Sequence, residues 1–105
     1  MPGYILSPEA EQDLLEIRAY YLTQANARVT RYVMSEITRA FRFLAATPGA
    51  GHVRADLTDE PVKFWSVFSY LIAYDPAMQP LGIARVRHGS QDLGALFRKE
   101  PPRAG

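Results

Sequence analysis

Residues 62–88 read VKFWSVFSYLIAYDPAMQPLGIARVRH, and the fold turns on how that stretch divides. Three runs, Val62 to Val67, Tyr70 to Tyr74 and Leu81 to His88, are rich in β-branched and aromatic residues and are separated by short breaks, the pattern of strands. They predict an antiparallel three-strand meander. The second break, Asp75-Pro76-Ala77-Met78-Gln79-Pro80, carries strong turn chemistry, whereas Phe68-Ser69 lacks the glycine or asparagine that a tight hairpin turn prefers. The middle run is apolar on both faces, as a central strand covered on both sides would be. In the last run a period of two puts Leu81, Ile83, Arg85 and Arg87 on one face and Gly82, Ala84, Val86 and His88 on the other. The small residues suit the face beneath helices, so both arginines are expected on the opposite, more open face.

Outward from this stretch the period changes to that of helices. Tyr4-Ile5-Leu6 is a short β-favouring run, and Ser7-Pro8-Glu9 after it reads as a helix start: serine caps free amides, and proline at the first helical position loses no hydrogen bond. Glu9, Glu11, Asp13 and Glu16 crowd the first turns, where negative charge meets the positive end of the helix dipole. Ala10, Leu14, Ile17 and Tyr21 form one buried stripe. Leu15, Tyr20 and Leu22 lie off it as a second apolar surface, which is either exposed for a partner or sandwiched between a second helix and the sheet. Thr23 to Asn26 breaks the pattern, and Asn26 is placed to cap a second helix with Val29, Val33, Ile37, Ala40, Phe41 and Leu44 on one face. Thr47-Pro48-Gly49-Ala50-Gly51 ends that helix, because proline cannot continue its ladder. A polar loop from Gly51 to Pro61 follows, and beyond His88-Gly89 a short last helix would carry Leu93, Leu96 and Phe97. The expected architecture is α+β: an N-terminal strand, a helical hairpin, the meander and a short C-terminal helix, in one domain over residues 1–97 with a flexible tail at 98–105.

Composition limits the function classes. At 105 residues the chain builds one hydrophobic core. Its 48% hydrophobic and 22% charged residues are globular rather than disordered. Twelve basic and eleven acidic side chains leave a formal charge of +1, so no global field draws the chain to nucleic acid or membrane. There is no cysteine, which removes thiolate nucleophiles, disulfides and cysteine-based zinc sites together. No apolar run approaches the roughly 20 residues of a membrane span, and the N-terminus lacks a basic leader region; a cytoplasmic, non-membrane protein is expected.

Few residues suggest catalysis. His52 and His88 stand in no metal-ligand spacing, so no metal and no cofactor are expected. Gly49-Ala50-Gly51 lacks the strand, helix and lysine of a phosphate loop. The remaining cluster is Arg85, Arg87 and His88, with Lys63 and Trp65 on a strand nearby. Two arginines bind phosphates and an imidazole moves protons, a minimal set for RNA cleavage through a 2′-hydroxyl. The other reading pairs Arg85 and Arg87 with acidic neighbours such as Asp92 or Asp75. The strand period also places His88 opposite the arginines unless a bulge intervenes. On balance the residues point to a binder of macromolecules rather than a catalyst.

Four segments, YILSPEAEQDLLEI, AFRFLAATPGAG, FSYLIAYDP and ARVRHGSQDLGALF, resemble in order and spacing the ParE branch of the RelE/ParE superfamily of bacterial type II toxins, from about Tyr4 to Phe97. The resemblance implies a helical hairpin on a small, mostly antiparallel sheet. It implies a toxin that inhibits DNA gyrase by binding, contributes to plasmid stabilisation and is neutralised in a hetero-oligomer by a ParD-like antitoxin, without direct sequence-specific binding of nucleic acid. Leu15, Tyr20 and Leu22 are then the candidate antitoxin contacts. The alternative within the superfamily is a RelE-like ribosome-dependent endoribonuclease acting on messenger RNA, for which Arg85, Arg87 and His88 would be the catalytic residues.

Overall fold

Strand β1 (Tyr4–Leu6) stops after three residues because Ser7 turns the chain into helix α1 (Pro8–Gln24). Ser7 does this with both ends of its hydroxyl. Its Oγ accepts the Ala10 N–H at 3.0 Å, capping the helix, and donates to the Ala84 carbonyl at 2.7 Å. Its backbone N–H reaches the Ile83 carbonyl at 3.0 Å. The start of α1 is thereby tied to the last strand of the sheet. The computed structural model describes residues 3–89; the expected C-terminal helix and tail lie outside them.

Helix α1 runs through Thr23 and Gln24, further than the sequence pattern suggested, with the Thr23 hydroxyl bonded to the Ala19 carbonyl at 2.8 Å. Asn26 then caps α2 (Ala27–Ala46), its Oδ1 accepting the Val29 N–H at 2.9 Å. The buried face of α2 is Thr30, Val33, Ile37, Ala40, Phe41 and Leu44. Val29, expected on that face, is instead exposed, and Thr30 takes its place with its hydroxyl bonded to the Asn26 carbonyl at 2.8 Å. A threonine is tolerated there because its only polar group is satisfied within the helix. A single 3₁₀ turn, Pro48–Ala50, closes the hairpin, and the Tyr74 hydroxyl clamps it. That hydroxyl donates to the Pro48 carbonyl at 2.7 Å and accepts the Gly51 N–H at 2.8 Å. A Cβ at Gly51 would stand 2.5 Å from the Tyr74 hydroxyl and 2.8 Å from the Phe64 carbonyl, so only glycine fits.

Strands β2 (Lys63–Val67), β3 (Tyr70–Asp75) and β4 (Leu81–His88) form the predicted antiparallel meander. β1 joins it parallel to β4, with Tyr4, Ile5 and Leu6 opposite Leu81, Gly82 and Ile83, giving a mixed sheet of order β1-β4-β3-β2. Both helices cover one face, where Phe41, Leu44, Ile72, Tyr74, Ile83 and Val86 make the main core. On the other face a smaller cluster of Val62, Phe64 and Ala73 is covered by Leu57 of the 51–61 loop, so the central strand is apolar on both sides as expected. Phe68 accommodates the tight β2–β3 turn with a left-handed φ of 55°.

The expected alternation along β4 fails at one point. The pairing with β3 slips between Ala73 opposite Arg85 and Tyr74 opposite Ile83, which leaves Ala84 as an extra, bulged residue. Leu81 and Ile83 therefore face the helices together with Val86, not with Arg85 and Arg87. Gly82 and Ala84 are not the helix-facing set: Ala84 packs in the smaller cluster on the opposite side. Large apolar residues fill the space beneath the helices because that is where the buried area is greatest.

Candidate functional site

On the side away from β3, the last half of β4 has no strand beside it, since β1 stops opposite Ile83. α1 covers that edge instead, and the residue that does so is Asp13. Its carboxylate is 2% exposed and accepts four hydrogen bonds: from Arg85 Nε at 2.9 Å, Arg85 Nη2 at 3.0 Å, Arg87 Nη1 at 3.1 Å and the Val86 N–H at 2.9 Å. The pair with Arg85 is bidentate, the strongest geometry for a guanidinium and a carboxylate. Arg87 also reaches Glu16 Oε2 at 3.4 Å. Its Nε is buried without a hydrogen-bond partner among the described residues.

Burial by itself pushes the Asp13 carboxyl up, but the bonds from Arg85, the Val86 amide and Arg87 outweigh it and hold its pKa below the usual 3.8. The Arg85 guanidinium is raised in turn, chiefly by its bond to Asp13. Both cations of the sequence-predicted cluster are thus engaged by a carboxylate. Among the described residues their partner is Asp13, more than seventy residues away in sequence, and not Asp75; Asp92 lies outside the described residues.

Beside this cluster a groove of about 290 Å³ runs between α1 and the end of the sheet, lined among others by Tyr20, Tyr21, Ser69, Tyr70, Arg87 and His88. Tyr70 and His88 meet edge to face at 5.6 Å between ring centroids, as do Tyr20 and Tyr21 at 5.1 Å. Burial, and then the hydrogen bond with Tyr21, raise the Tyr70 hydroxyl well above its ordinary 10.0, so it stays neutral. His88 lies opposite Tyr70 in the sheet register, on the face away from the Arg85 and Arg87 backbone positions, as the strand period required. The Arg87 side chain nevertheless wraps round the free edge to line the same groove.

The three candidate partner contacts on α1 are all exposed: Leu15 59%, Tyr20 54% and Leu22 46%. They do not form one patch. Leu15 and Leu22 are seven residues apart and share a flank within roughly 20°, whereas Tyr20 is rotated by roughly 150° and borders the groove. Asp13, Glu16, Tyr21, Ser69 and Tyr70 belong to the site and were not picked out from sequence. Asp13 carried a signal: it stands three residues after Ala10 and four before Ile17, on the stripe that α1 buries. A carboxylate at such a position needs a cation.

Among the described residues, no helix is long and apolar enough to cross a membrane, and no group of His, Asp and Glu is arranged to hold a metal ion. No curated protein matches the chain in a direct sequence comparison. At the level of families, residues 4–93 match the ParE toxin of type II toxin-antitoxin system, parDE. The match begins in β1 and runs past β4, so it spans the hairpin, the Asp13 cluster and the groove together. A family of this kind implies an antitoxin partner. By a match over most of its length, with the strand, helical hairpin and meander in their expected order, this chain belongs to the ParE toxins of type II toxin–antitoxin systems.

Proposed function

We propose that this toxin acts by binding, inhibiting DNA gyrase in the cytoplasm, and that a cognate ParD-like antitoxin neutralises it in a hetero-oligomer. The observation that supports binding over catalysis is the state of the arginines. Cleavage of a phosphodiester needs a base, an acid and cations free to meet developing charge. Here Arg85 and Arg87 both donate to Asp13, and Arg87 also to Glu16. The alternative, a ribosome-dependent endoribonuclease using Arg85, Arg87 and His88, requires those bonds to open first.

Antitoxin contacts are assigned to Leu15 and Leu22 on one flank of α1 and to Tyr20 at the groove. An antitoxin tail that folds on binding gains most by covering exposed apolar helix surface, and these are the exposed apolar residues of α1. The decisive experiment sets two assays side by side. Purified protein is added to a gyrase supercoiling and cleavage-complex assay, and cellular messages are examined by primer extension after induction. Inhibited supercoiling with intact messages is expected. Cut messages that disappear in the Arg85→Ala, Arg87→Ala variant, with gyrase unaffected, would transfer the function to the ribonuclease reading.

A further inference from the structure

We propose that the outward face of α2 is a phosphate-binding stripe that seats the protein on the backbone of duplex DNA without reading its sequence. The stripe uses neither the α1 contacts nor the groove, and does not depend on the gyrase reading.

The charge of the helical hairpin is segregated. α1 carries Glu9, Glu11, Asp13 and Glu16 against Arg18, whereas α2 carries Arg28, Arg31, Arg39 and Arg42 against Glu36. The formal charge of +1 for the whole chain hides this local imbalance. By the helical period the four arginines fall within roughly 80° of one another, on the side opposite the buried residues Val33, Ile37, Phe41 and Leu44. All four are exposed. Arg28, Arg31 and Arg42 have no ion pair among the described residues. The only pair of Arg39 is with Glu36 at 3.7 Å, with the Arg39 side chain 79% exposed. Glu36, the single acid of α2, stands roughly 100° round the helix from the centre of the stripe.

Nothing in the fold compensates this arrangement. Arg28 sits in the first turn of α2, where the positive end of the helix dipole opposes a cation; α1 places Glu9 and Glu11 in the corresponding turn. Arg31 follows Arg28, and Arg42 follows Arg39, at the i+3 spacing where side chains are neighbours, so each pair repels itself. A solvated helix face ordinarily alternates the sign of its charges. Four like charges held together against the stability of their own helix are set for an anion outside the chain.

The spacing indicates which anion. Arg28 and Arg39 are eleven residues apart, three turns and about 16 Å along the axis, and Arg31 and Arg42 repeat the interval. The face therefore presents two arginine pairs with Ser35 between them. Pairs so separated straddle the roughly 12 Å major groove of B-DNA and bring guanidinium forks to the phosphates on each rim. The deep, narrow major groove of A-form RNA offers no such seat. A membrane surface would want apolar side chains among the cations, but the aromatics beside the stripe, Tyr32 and Phe43, turn toward Phe68 and Trp65. An acidic peptide would need carboxylates in one fixed register, whereas DNA carries a charge about every 1.7 Å. Contacts of this kind position a protein and carry no base readout.

The test uses the full chain and a fluorescein-labelled DNA duplex of about 20 base pairs, followed by anisotropy. Four phosphate contacts should give a slope of about −3.6 in log K against log salt, a fall of about 150-fold between 50 and 200 mM. Two unrelated duplex sequences should bind within twofold of each other. Arg28→Gln with Arg39→Gln should halve the slope to about −1.8 and lower affinity at low salt at least tenfold. Arg54→Gln with Lys63→Gln makes the same change in net charge away from α2 and should alter affinity less than twofold. Replacing all four α2 arginines by Gln should abolish binding without lowering the melting temperature, which separates a binding role from a folding one. No binding by the wild type, equal losses in the two double variants, a lower melting temperature in the fourfold variant, or equal or tighter binding of an RNA duplex, polyglutamate or phosphatidylserine vesicles would each overturn the proposal.

Discussion

Replacing Asp13 by Asn keeps the shape of the side chain and removes its charge. The remaining Oδ1 still accepts the Val86 N–H, but the new amide NH₂ faces the Arg85 guanidinium, donor against donor. Four hydrogen bonds converge on the native carboxylate, three of them from cations, and its side chain is 2% exposed. Breaking such a buried pair by removing one partner costs about 3–5 kcal/mol. The Arg85 and Arg87 side chains are 22% and 21% exposed, so water relieves part of that penalty and the lower end, about 3 kcal/mol, applies here. For a domain of this size that corresponds to a fall in melting temperature of roughly 12–24 °C. Thermal and urea unfolding followed by circular dichroism measure it. A loss below about 1 kcal/mol in Asp13→Asn would refute the claim that this carboxylate holds the β4 edge against α1.

The same residue sets a pH dependence. The folded carboxyl titrates below its unfolded value of 3.8, so its contribution is complete above that pH and is lost as pH falls through the lower, folded value. Wild-type stability should therefore decline below about pH 4–5 more steeply than that of Asp13→Asn. If the two profiles ran parallel there, another carboxylate would be responsible.

Three further outcomes follow from the geometry. Tyr74→Phe strips the partner from the Pro48 carbonyl and the Gly51 amide and should cost about 1–3 kcal/mol in urea unfolding; a neutral result would mean that water replaces the hydroxyl. Ser7→Ala removes the α1 cap and the bond to the Ala84 carbonyl and should lower stability by about 1–2 kcal/mol, with the fastest amide exchange at the start of α1. Because Leu22 and Tyr20 lie on different flanks of α1, Leu22→Glu and Tyr20→Glu should each weaken a cognate antitoxin measured by calorimetry, with additive effects. Unchanged affinity in both variants removes α1 from the interface.

Much of this architecture was legible because local rules act alone on it. The Ser7-Pro8 start and the Asn26 cap depend only on neighbouring residues, and both helices begin where those signals stand. The limits of β4, Leu81–His88, also follow from a run of strand-forming residues between turn chemistry and glycine. The reading of its faces failed at Ala84 because one inserted residue exchanges every side chain beyond it between the two sides. Nothing in the string LGIARVRH marks the bulge. Its cause lies partly outside the strand, where Ser7 takes the Ile83 and Ala84 carbonyls.

The site divides in the same way. Arg85 and Arg87 drew notice as two cations one strand period apart, and Leu15 and Leu22 as apolar residues off the buried stripe; composition and spacing suffice for both. Asp13 looked like one of several acids at a helix start, and only the packing of α1 across the β4 edge makes it the counter-ion of those arginines. The grouping of Tyr20 with the groove rather than with Leu15 and Leu22 likewise awaited the placement of α1 over Tyr70 and His88. Residues close in the chain are related by fixed helix and strand periods, so their local structure can be read in one dimension. Ion pairs, bulges and grooves join residues some seventy positions apart, and their partners are chosen by how whole elements pack.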